Sequence, residues 1–198
     1  LISLLLLSFS FNAIGQASCV PCEKLKDLKF PDVTILSVES KRSDSIRVPE
    51  PWLPMVVITK PFCRVTGRIS TEINFEILLP QQWNARFLMS GGGGFVGAIH
   101  NGFRDRVNDG YATAGTDTGH SGPPFAAEWA LNNMERQINF GRLAIHRTAI
   151  ISKALINAFY CKEPAYSYFL GCSRGGGQAM VEAQLYPQDF NGIVAGAP

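Results

Sequence analysis

The stretch that decides the fold is Tyr166-Ser-Tyr-Phe-Leu-Gly-Cys-Ser-Arg-Gly-Gly-Gly-Gln-Ala179. Its first part, Tyr166 to Leu170, has the composition of a buried strand, and Gly176 to Tyr186 has that of a helix. Between them lies Gly171-Cys-Ser-Arg-Gly175, which is a G-x-S-x-G pattern. Because a strand leads into this pattern and a helix leads out of it, the sequence predicts a nucleophile elbow with Ser173 as the reactive residue.

The two glycines of this pattern have a steric purpose. Gly171 and Gly175 leave room for the chain to pass close to itself in a strained turn. The turn lifts the Ser173 hydroxyl clear of the sheet and places it at a helix N-terminus, where the helix dipole favours developing negative charge. The alternative is an ordinary glycine-rich turn capped by a serine, which the flanking strand and helix make the weaker interpretation.

A second glycine cluster, Gly91 to Gly94, directly follows a predicted strand. In an elbow fold, one backbone N–H of the oxyanion hole comes from the residue after the nucleophile, here Arg174, and the other from a loop of this kind. A phosphate-binding loop is the rival interpretation. It requires a Lys-Ser/Thr pair and a helix directly after the glycines, and neither follows here.

The remaining pattern predicts strands first in succession and then in alternation with helices. The predicted strands are Val33–Val38, Val56–Ile58 and Cys63–Ile69 (the last two as edge strands), Ile73–Leu79, Arg86–Ser90, Tyr111–Thr116, Tyr166–Leu170 and Gly192–Ala195. The predicted helices are Cys22–Leu28, Phe140–Tyr160 and Gly176–Tyr186, and residues 40–54 and 117–137 are predicted loops. This order indicates an α/β fold with a mainly parallel sheet and crossover helices.

The composition is that of a globular protein, with 46% hydrophobic and 17% charged residues and a net charge of +2. Such a charge is too small to predict a nucleic acid or an anionic membrane as partner. Residues 1–17 have the pattern of a signal peptide whose start is clipped, with cleavage after Ala17. We therefore expect a secreted or periplasmic domain over residues 18–198. A membrane anchor or a buried helix is the alternative interpretation of residues 1–17.

The chain has three histidines, and all of them precede the predicted nucleophile: His100, His120 and His146. In the elbow fold the catalytic Asp or Glu and then the His follow the serine along the chain. Either His120 acts out of order, or the sequence is truncated and the general base lies beyond Pro198. We expect the second case, and we interpret Asp117 and His120 as structural or pocket-shaping residues.

Several motifs occur together in one order along the chain. They are Pro61-Phe-Cys-Arg-Val65, Leu79-Pro-Gln-Gln-Trp-Asn84, Arg86-Phe-Leu-Met-Ser-Gly-Gly-Gly-Gly94, Asp117-Thr-Gly-His120, Gly171-Cys-Ser-Arg-Gly-Gly176 and Tyr186-Pro-Gln-Asp-Phe-Asn-Gly-Ile-Val-Ala-Gly-Ala-Pro198. This set, above all the cysteine directly before Ser173, resembles the tannase and feruloyl esterase family. The resemblance implies the N-terminal portion of an α/β-hydrolase fold, truncated before the lid and the catalytic Asp and His.

The resemblance also implies a function. A member would be a secreted carboxylic ester hydrolase that cleaves feruloyl, galloyl or tannin-like esters through an acyl-enzyme on Ser173. Its partner would be a small-molecule or polysaccharide-linked aromatic ester, and the present stretch alone would be inactive. A lipase or acyltransferase of the same fold, or a non-catalytic hydrolase-like binding module, remain the alternatives.

Further residue roles follow from the resemblance alone. Gly94 and Arg174 would donate the oxyanion-hole amides, and Cys22 would pair with Cys63. Cys172 would form a disulfide with a cysteine beyond Pro198, beside the catalytic histidine. A structural calcium would belong to the lid, so no cofactor or metal ligand is expected in this stretch. The family pattern leaves Cys19 and Cys161 over, and a bridge between them stays open.

Overall fold

The computed structural model describes residues 19–46 and 55–198. The predicted signal peptide and residues 47–54 of the predicted loop lie outside the described residues. No helix in the described part of the chain is long and apolar enough to cross a membrane.

The strands and helices follow the order that the sequence predicts. The strands are β1 (Val33–Lys41), β2 (Asp44–Ile46), β3 (Val56–Ile58), β4 (Phe62–Ile69), β5 (Ile73–Pro80), β6 (Arg86–Ser90), β7 (Ala112–Thr116), β8 (Tyr166–Cys172) and β9 (Gly192–Gly196). The α-helices are α1 (Met134–Ile138), α2 (Ala144–Tyr160) and α3 (Arg174–Leu185). Short 3₁₀-helices span Cys22–Asp27, Arg104–Asp109 and Glu128–Ala130, and a π-helical turn spans Asn139–Leu143.

The main sheet has seven strands in the order β1-β4-β5-β7-β6-β8-β9. Its first half is antiparallel, from β1 through β4 and β5 to β7. Its second half is parallel, because β6 pairs with β7 and β8, and β8 pairs with β9, all in the same direction. Helix α2 packs on β5 and β7, and α3 packs on β8 and β9. The sheet is therefore mixed, and its parallel half carries the predicted nucleophile.

The structure corrects the prediction that Cys63–Ile69 is an edge strand. β4 lies inside the sheet between β1 and β5. It tolerates this position because its polar Arg64 pairs with Glu76 of the neighbouring strand, with Nη2 and Oε2 2.7 Å apart. β3 is an edge strand as predicted, in a separate two-stranded sheet with β2. β2 lies inside the predicted loop of residues 40–54.

The helix boundaries also differ from the prediction. α3 begins at Arg174, two residues earlier than predicted, because Gly175 and the residue before it already have helical geometry. The predicted loop 117–137 contains the 3₁₀-turn Glu128–Ala130 and the start of α1. Asn133 caps the first turn of α1, because its side-chain oxygen accepts from the Arg136 N–H at 3.0 Å.

Two disulfides hold the N-terminal segment to the rest of the domain. Cys22 is bonded to Cys63 on β4, the pairing that the resemblance implies. Cys19 is bonded to Cys161, the residue that follows α2, so the pairing that the sequence left open is present in the structure. The Val20 N–H also donates to the Ala158 carbonyl at 2.9 Å. The first described residues are thereby fixed to the end of α2.

Candidate active site

Ser173 stands in the turn between β8 and α3, and its side chain is exposed. Its φ of 56° and ψ of −126° lie in a region that non-glycine residues rarely adopt. Such a conformation costs free energy and persists only where the surroundings fix it. Here the Ser173 N–H donates to the Gly196 carbonyl at 3.0 Å, and its carbonyl accepts from the Gly177 N–H at 3.1 Å. The turn therefore has the backbone strain of an elbow.

The glycines of the elbow are required by close backbone contacts. A Cβ on Gly171 would lie 2.1 Å from the Gly175 carbonyl oxygen, and a Cβ on Gly176 would lie 2.2 Å from the Gly196 oxygen. At Gly177 the nearest atom to such a Cβ is Arg174 Nη1 at 3.7 Å, which is ordinary contact. The steric argument from the sequence therefore applies to Gly171 and, less severely, to Gly175, where a Cβ would lie 3.0 Å from the Gly91 carbonyl carbon. It extends to Gly176 but does not apply to Gly177.

The glycine loop after β6 packs directly on this elbow. Ser90 at the end of β6 pairs in parallel with Leu170 of β8, so the C-terminal ends of both strands lie at the same edge of the sheet. A Cβ on Gly91 would lie 2.5 Å from the Gly175 Cα. The Gly91 N–H donates to the Leu170 carbonyl at 3.0 Å. The loop and the nucleophile are therefore joined by backbone contacts.

The donors predicted for an oxyanion hole are open. The backbone N–H groups of Gly94 and Arg174 donate to no acceptor among the residues that the structure describes. Gly94 has a φ of 54°, and a Cβ there would lie 2.4 Å from the Pro124 carbonyl oxygen. Arg174 is the first residue of α3, where N–H groups lack intrahelical partners. The arrangement can present two unpaired donors to a developing negative charge.

The Arg174 side chain has a role that the sequence did not suggest. Its Nη2 donates to the Phe140 carbonyl at 2.8 Å, and the guanidinium lies 4.1 Å from the centre of the Phe140 ring. Burial lowers the pKa of this guanidinium from its ordinary value. The side chain thus links the first residue of α3 to the π-helical turn before α2.

An aromatic cluster supports the glycine loop from the other side. The His120 ring stacks on Trp129 with centroids 3.7 Å apart, and Phe140 lies 5.0 Å from Trp129 and 6.1 Å from Phe95. Burial lowers the pKa of His120, which keeps the imidazole neutral at pH 7. The Phe95 N–H donates to the Pro124 carbonyl at 2.7 Å, so the loop is bonded to the segment that carries His120.

Asp117 organises the start of the same segment. Its Oδ1 accepts from the backbone N–H groups of Asn74 and Gly119 at 3.0 and 2.8 Å, and its Oδ2 accepts from Asn74 Nδ2 at 2.6 Å. Burial raises the pKa of Asp117 to about 6, against the opposing effect of these hydrogen bonds. The Asp117 carbonyl also accepts from the Gly97 N–H at 3.2 Å. These contacts assign Asp117 to the scaffold of the glycine loop.

The structure does not bring a general base to Ser173. Among residues 19–46 and 55–198, no side chain forms a hydrogen bond with its hydroxyl. His146 bonds to Asp189 instead, and His120 stacks on Trp129. Cys172 is a free, exposed thiol beside the nucleophile, and its disulfide with a residue beyond Pro198 stays a prediction.

A second polar cluster lies at the other end of α3. His146, Glu182 and Asp189 each place one ligand-type atom within 4.8 Å of the others. His146 Nδ1 and Asp189 Oδ2 are 2.6 Å apart, and the Lys153 ammonium donates to the Asp189 carbonyl. Calcium takes six to eight oxygen ligands, whereas this cluster offers an imidazole and already contains the positive charge of Lys153. Its donor set does not fit the calcium that the resemblance implies.

Glu182 is the most deeply buried member of this cluster, with 1% of its surface exposed. Burial first, and then the neighbouring Asp189, raise the pKa of Glu182 to about 8. At neutral pH it therefore holds a proton while Asp189 is the partner of His146. No sequence pattern indicated this cluster, because its members are scattered over two helices and a loop.

A family model described as tannase and feruloyl esterase matches residues 56–198, which contain the elbow and the glycine loop. The chain belongs to this family. Relatives include a probable feruloyl esterase of Arthroderma benhamiae, 38% identical over 194 residues that cover 89% of this chain and 36% of that protein.

Solved structures agree with this assignment. The crystal structure of feruloyl esterase B from Aspergillus oryzae has a TM-score of 0.78 and 30% identity, over 88% of this chain and 36% of that one. Tannin acyl hydrolase from Aspergillus niger has a TM-score of 0.62 and 26% identity, over 89% of this chain and 34% of that one. The chain thus has the α/β-hydrolase-type fold of these proteins and spans about a third of their length.

Proposed function

We propose that the full-length protein is a serine ester hydrolase that cleaves esters of aromatic acids through an acyl-enzyme on Ser173. The observation that carries the proposal is the strained, exposed serine directly before α3, in an elbow that packs against a glycine loop with open N–H groups. The chain belongs to the tannase and feruloyl esterase family. Relatives named feruloyl esterase and tannin acyl hydrolase support aromatic acyl groups as the substrate class.

In the proposed reaction the Ser173 oxygen attacks the ester carbonyl and the carbonyl oxygen becomes an oxyanion. The N–H groups of Gly94 and Arg174 would receive that charge, and the start of α3 adds the favourable end of a helix dipole. The alcohol leaves, water attacks the acyl-enzyme, and the acid is released. Loss of one donor of this kind costs about 3 kcal/mol of transition-state stabilisation.

The proton of the Ser173 hydroxyl needs an acceptor, because a serine without a base is a weak nucleophile. In this fold the carboxylate and the histidine follow the nucleophile along the chain. We assign both, together with the lid and its calcium, to the part of the relatives' length that this chain does not span. The chain described here would supply the nucleophile and the oxyanion hole.

We further propose export, with residues 1–17 as the signal peptide. Two disulfides, Cys19–Cys161 and Cys22–Cys63, support this because such bonds persist in oxidising compartments. N-terminal sequencing of the protein from the culture medium tests it, with Ser18 expected as the first residue.

The catalytic proposal is tested with methyl ferulate and methyl gallate as substrates. The wild-type full-length protein should release the free acid, and Ser173→Ala should reduce kcat/KM by at least about 10³-fold while the protein stays folded. Added alcohol separates hydrolysis from acyl transfer, because a transferase would form the new ester in preference to the acid. Equal turnover by Ser173→Ala and wild type would refute the assignment.

A further inference from the structure

One side chain of α3 reaches across to the glycine loop. Gln178 lies five residues after Ser173, and its Oε1 accepts from the Gly92 N–H at 3.0 Å. The residue is 3% exposed, and the bond joins positions 86 residues apart in sequence. It is therefore a buried connection between the loop after β6 and the helix after β8.

The bond fixes the loop directly before its open donors. Gly91 donates to the Leu170 carbonyl, and Gly92 donates to Gln178. The N–H groups of the next two residues, Gly93 and Gly94, have no acceptor among the described residues. The first half of the loop is thus held against the elbow, and the N–H groups of Gly93 and Gly94 are left open.

The Gln178 amide has no other polar contact in the described part of the chain. Its Nε2 is buried without a hydrogen-bond partner. A buried amide with half of its hydrogen bonds unmade is unfavourable for folding, and an apolar side chain would fill the same space. Among the described residues, the acceptor that it offers to Gly92 is the polar contact that explains the residue type.

We propose that Gln178 is a positioning residue that sets the separation between the loop donor and the helix donor of the oxyanion hole. The proposal rests on the proposed role of Ser173 as the acylated nucleophile. The Gly94 N–H belongs to the loop and the Arg174 N–H belongs to α3, so their distance depends on what joins the two elements. Donors must lie about 2.7–3.1 Å from the oxyanion, and a misplacement of about 1 Å costs up to 10²-fold in rate.

Gln178→Met in the full-length protein removes the acceptor while keeping the length of the side chain. We expect kcat for methyl ferulate to fall about 10- to 100-fold and KM to stay within about threefold, because only the transition state carries the oxyanion. Phenylboronic acid, which forms a tetrahedral adduct on a reactive serine, should bind more weakly by the same factor. The Ki of ferulate, which lacks that geometry, should stay within about threefold.

Two further variants separate positioning from folding. Gln178→Glu keeps an acceptor of equal length, so its activity relative to wild type should be highest at low pH. That ratio should fall as the new carboxyl ionises beside the oxyanion. Gln184→Met makes the same chemical change at an exposed position of α3 and should leave kcat unchanged.

The experiments distinguish a failure of the proposed function from a failure of the role proposed for Gln178. A wild-type protein that neither turns over ester nor reacts at Ser173 would contradict the proposed function itself. An active wild type combined with unaltered kcat and boronate affinity in Gln178→Met would overturn only the role of Gln178. The role of Gln178 would also be overturned if Gln178→Met lost as much affinity for ferulate as for the boronate. The same holds if the activity of Gln178→Glu relative to wild type did not change with pH.

Discussion

The two ends of α3 are built in opposite ways. At its N-terminal end, Ser173 and Arg174 are surrounded by glycine backbone, and the N–H groups predicted to act are unpaired. At its C-terminal end, Glu182 meets Asp189 and His146, whose side chains bond to one another. One end leaves its hydrogen-bonding capacity open at a strained turn, and the other uses its polar groups to join α2, α3 and the segment before β9.

This difference separates two uses of polar groups on one helix. Open donors at a rigid turn can stabilise a charge that exists only during reaction, provided that the turn does not relax. Titratable groups that pair in the interior stabilise one arrangement of the helices and respond to pH. We therefore expect changes at the first end to alter activity and changes at the second end to alter stability.

Among the variants that test this difference between the two ends, the largest effect is expected from Gly171→Ala. The new Cβ would lie 2.1 Å from the Gly175 carbonyl oxygen, so the elbow must shift. We expect kcat/KM for methyl ferulate to fall by at least about 10²-fold, because misplacing the nucleophile by about 1 Å has this effect. Steady-state kinetics on the folded variant measures it. Activity within about threefold of wild type would show that the elbow is not sterically fixed.

A smaller effect, on stability, is expected from Asp189→Ala. The change leaves the buried Glu182 and the imidazole of His146 without their shared partner. Breaking such a buried pair should lower the free energy of unfolding by about 2–4 kcal/mol. Denaturant titration measures the loss. Below the unfolding transition, the kinetic constants of the variant should match those of wild type. A selective loss of kcat would contradict the claim that changes at this end alter only stability.

Glu182→Gln tests the role of the C-terminal end of α3 through the pH dependence of the free energy of unfolding. The folded-state pKa of Glu182 is raised to about 8 from an ordinary value of 4.5, so its contribution to stability is complete below pH 4.5 and is lost as pH rises towards 8. Glutamine carries no proton to lose. The variant should therefore gain stability relative to wild type as pH is raised from 5 to 8, as denaturation midpoints at the two values can show. A constant difference would contradict the raised pKa.

The smallest effect is expected from Gly177→Ala, which is the matched control for Gly171→Ala. A Cβ there meets only Arg174 Nη1 at 3.7 Å. Alanine is favoured over glycine within a helix, so the free energy of unfolding should rise by up to about 1 kcal/mol with little change in kcat. Thermal unfolding checks the direction. A loss of activity like that of Gly171→Ala would mean that any added side chain at this end is harmful.

The sequence predicted the strained turn at the N-terminal end of α3 because its signal is local. Gly171, Ser173 and Gly175 fall within five positions between a strand and a helix, and the steric reason for each glycine can be stated from the pattern. The same local signal did not show that Gly176 is equally constrained by the Gly196 carbonyl, since that contact comes from a neighbouring strand.

The other end could not be predicted in this way. His146 and Asp189 are 43 residues apart, and only the packing of α2 on the sheet brings them together. Gln178 is likewise an ordinary helical residue until its 3.0 Å bond to Gly92 is seen. The edge assignment of Cys63–Ile69 failed for a related reason, because the partner that makes Arg64 acceptable inside a sheet is on another strand.

The central claim is that Ser173 is the acylated nucleophile, and covalent labelling tests it most directly. The full-length protein is treated with a fluorophosphonate under native conditions, digested and analysed by mass spectrometry. The account predicts one adduct, on Ser173, that is absent from heat-denatured protein and from Ser173→Ala. A folded wild-type protein that hydrolyses ester but carries the adduct on another residue, or carries none, would contradict it.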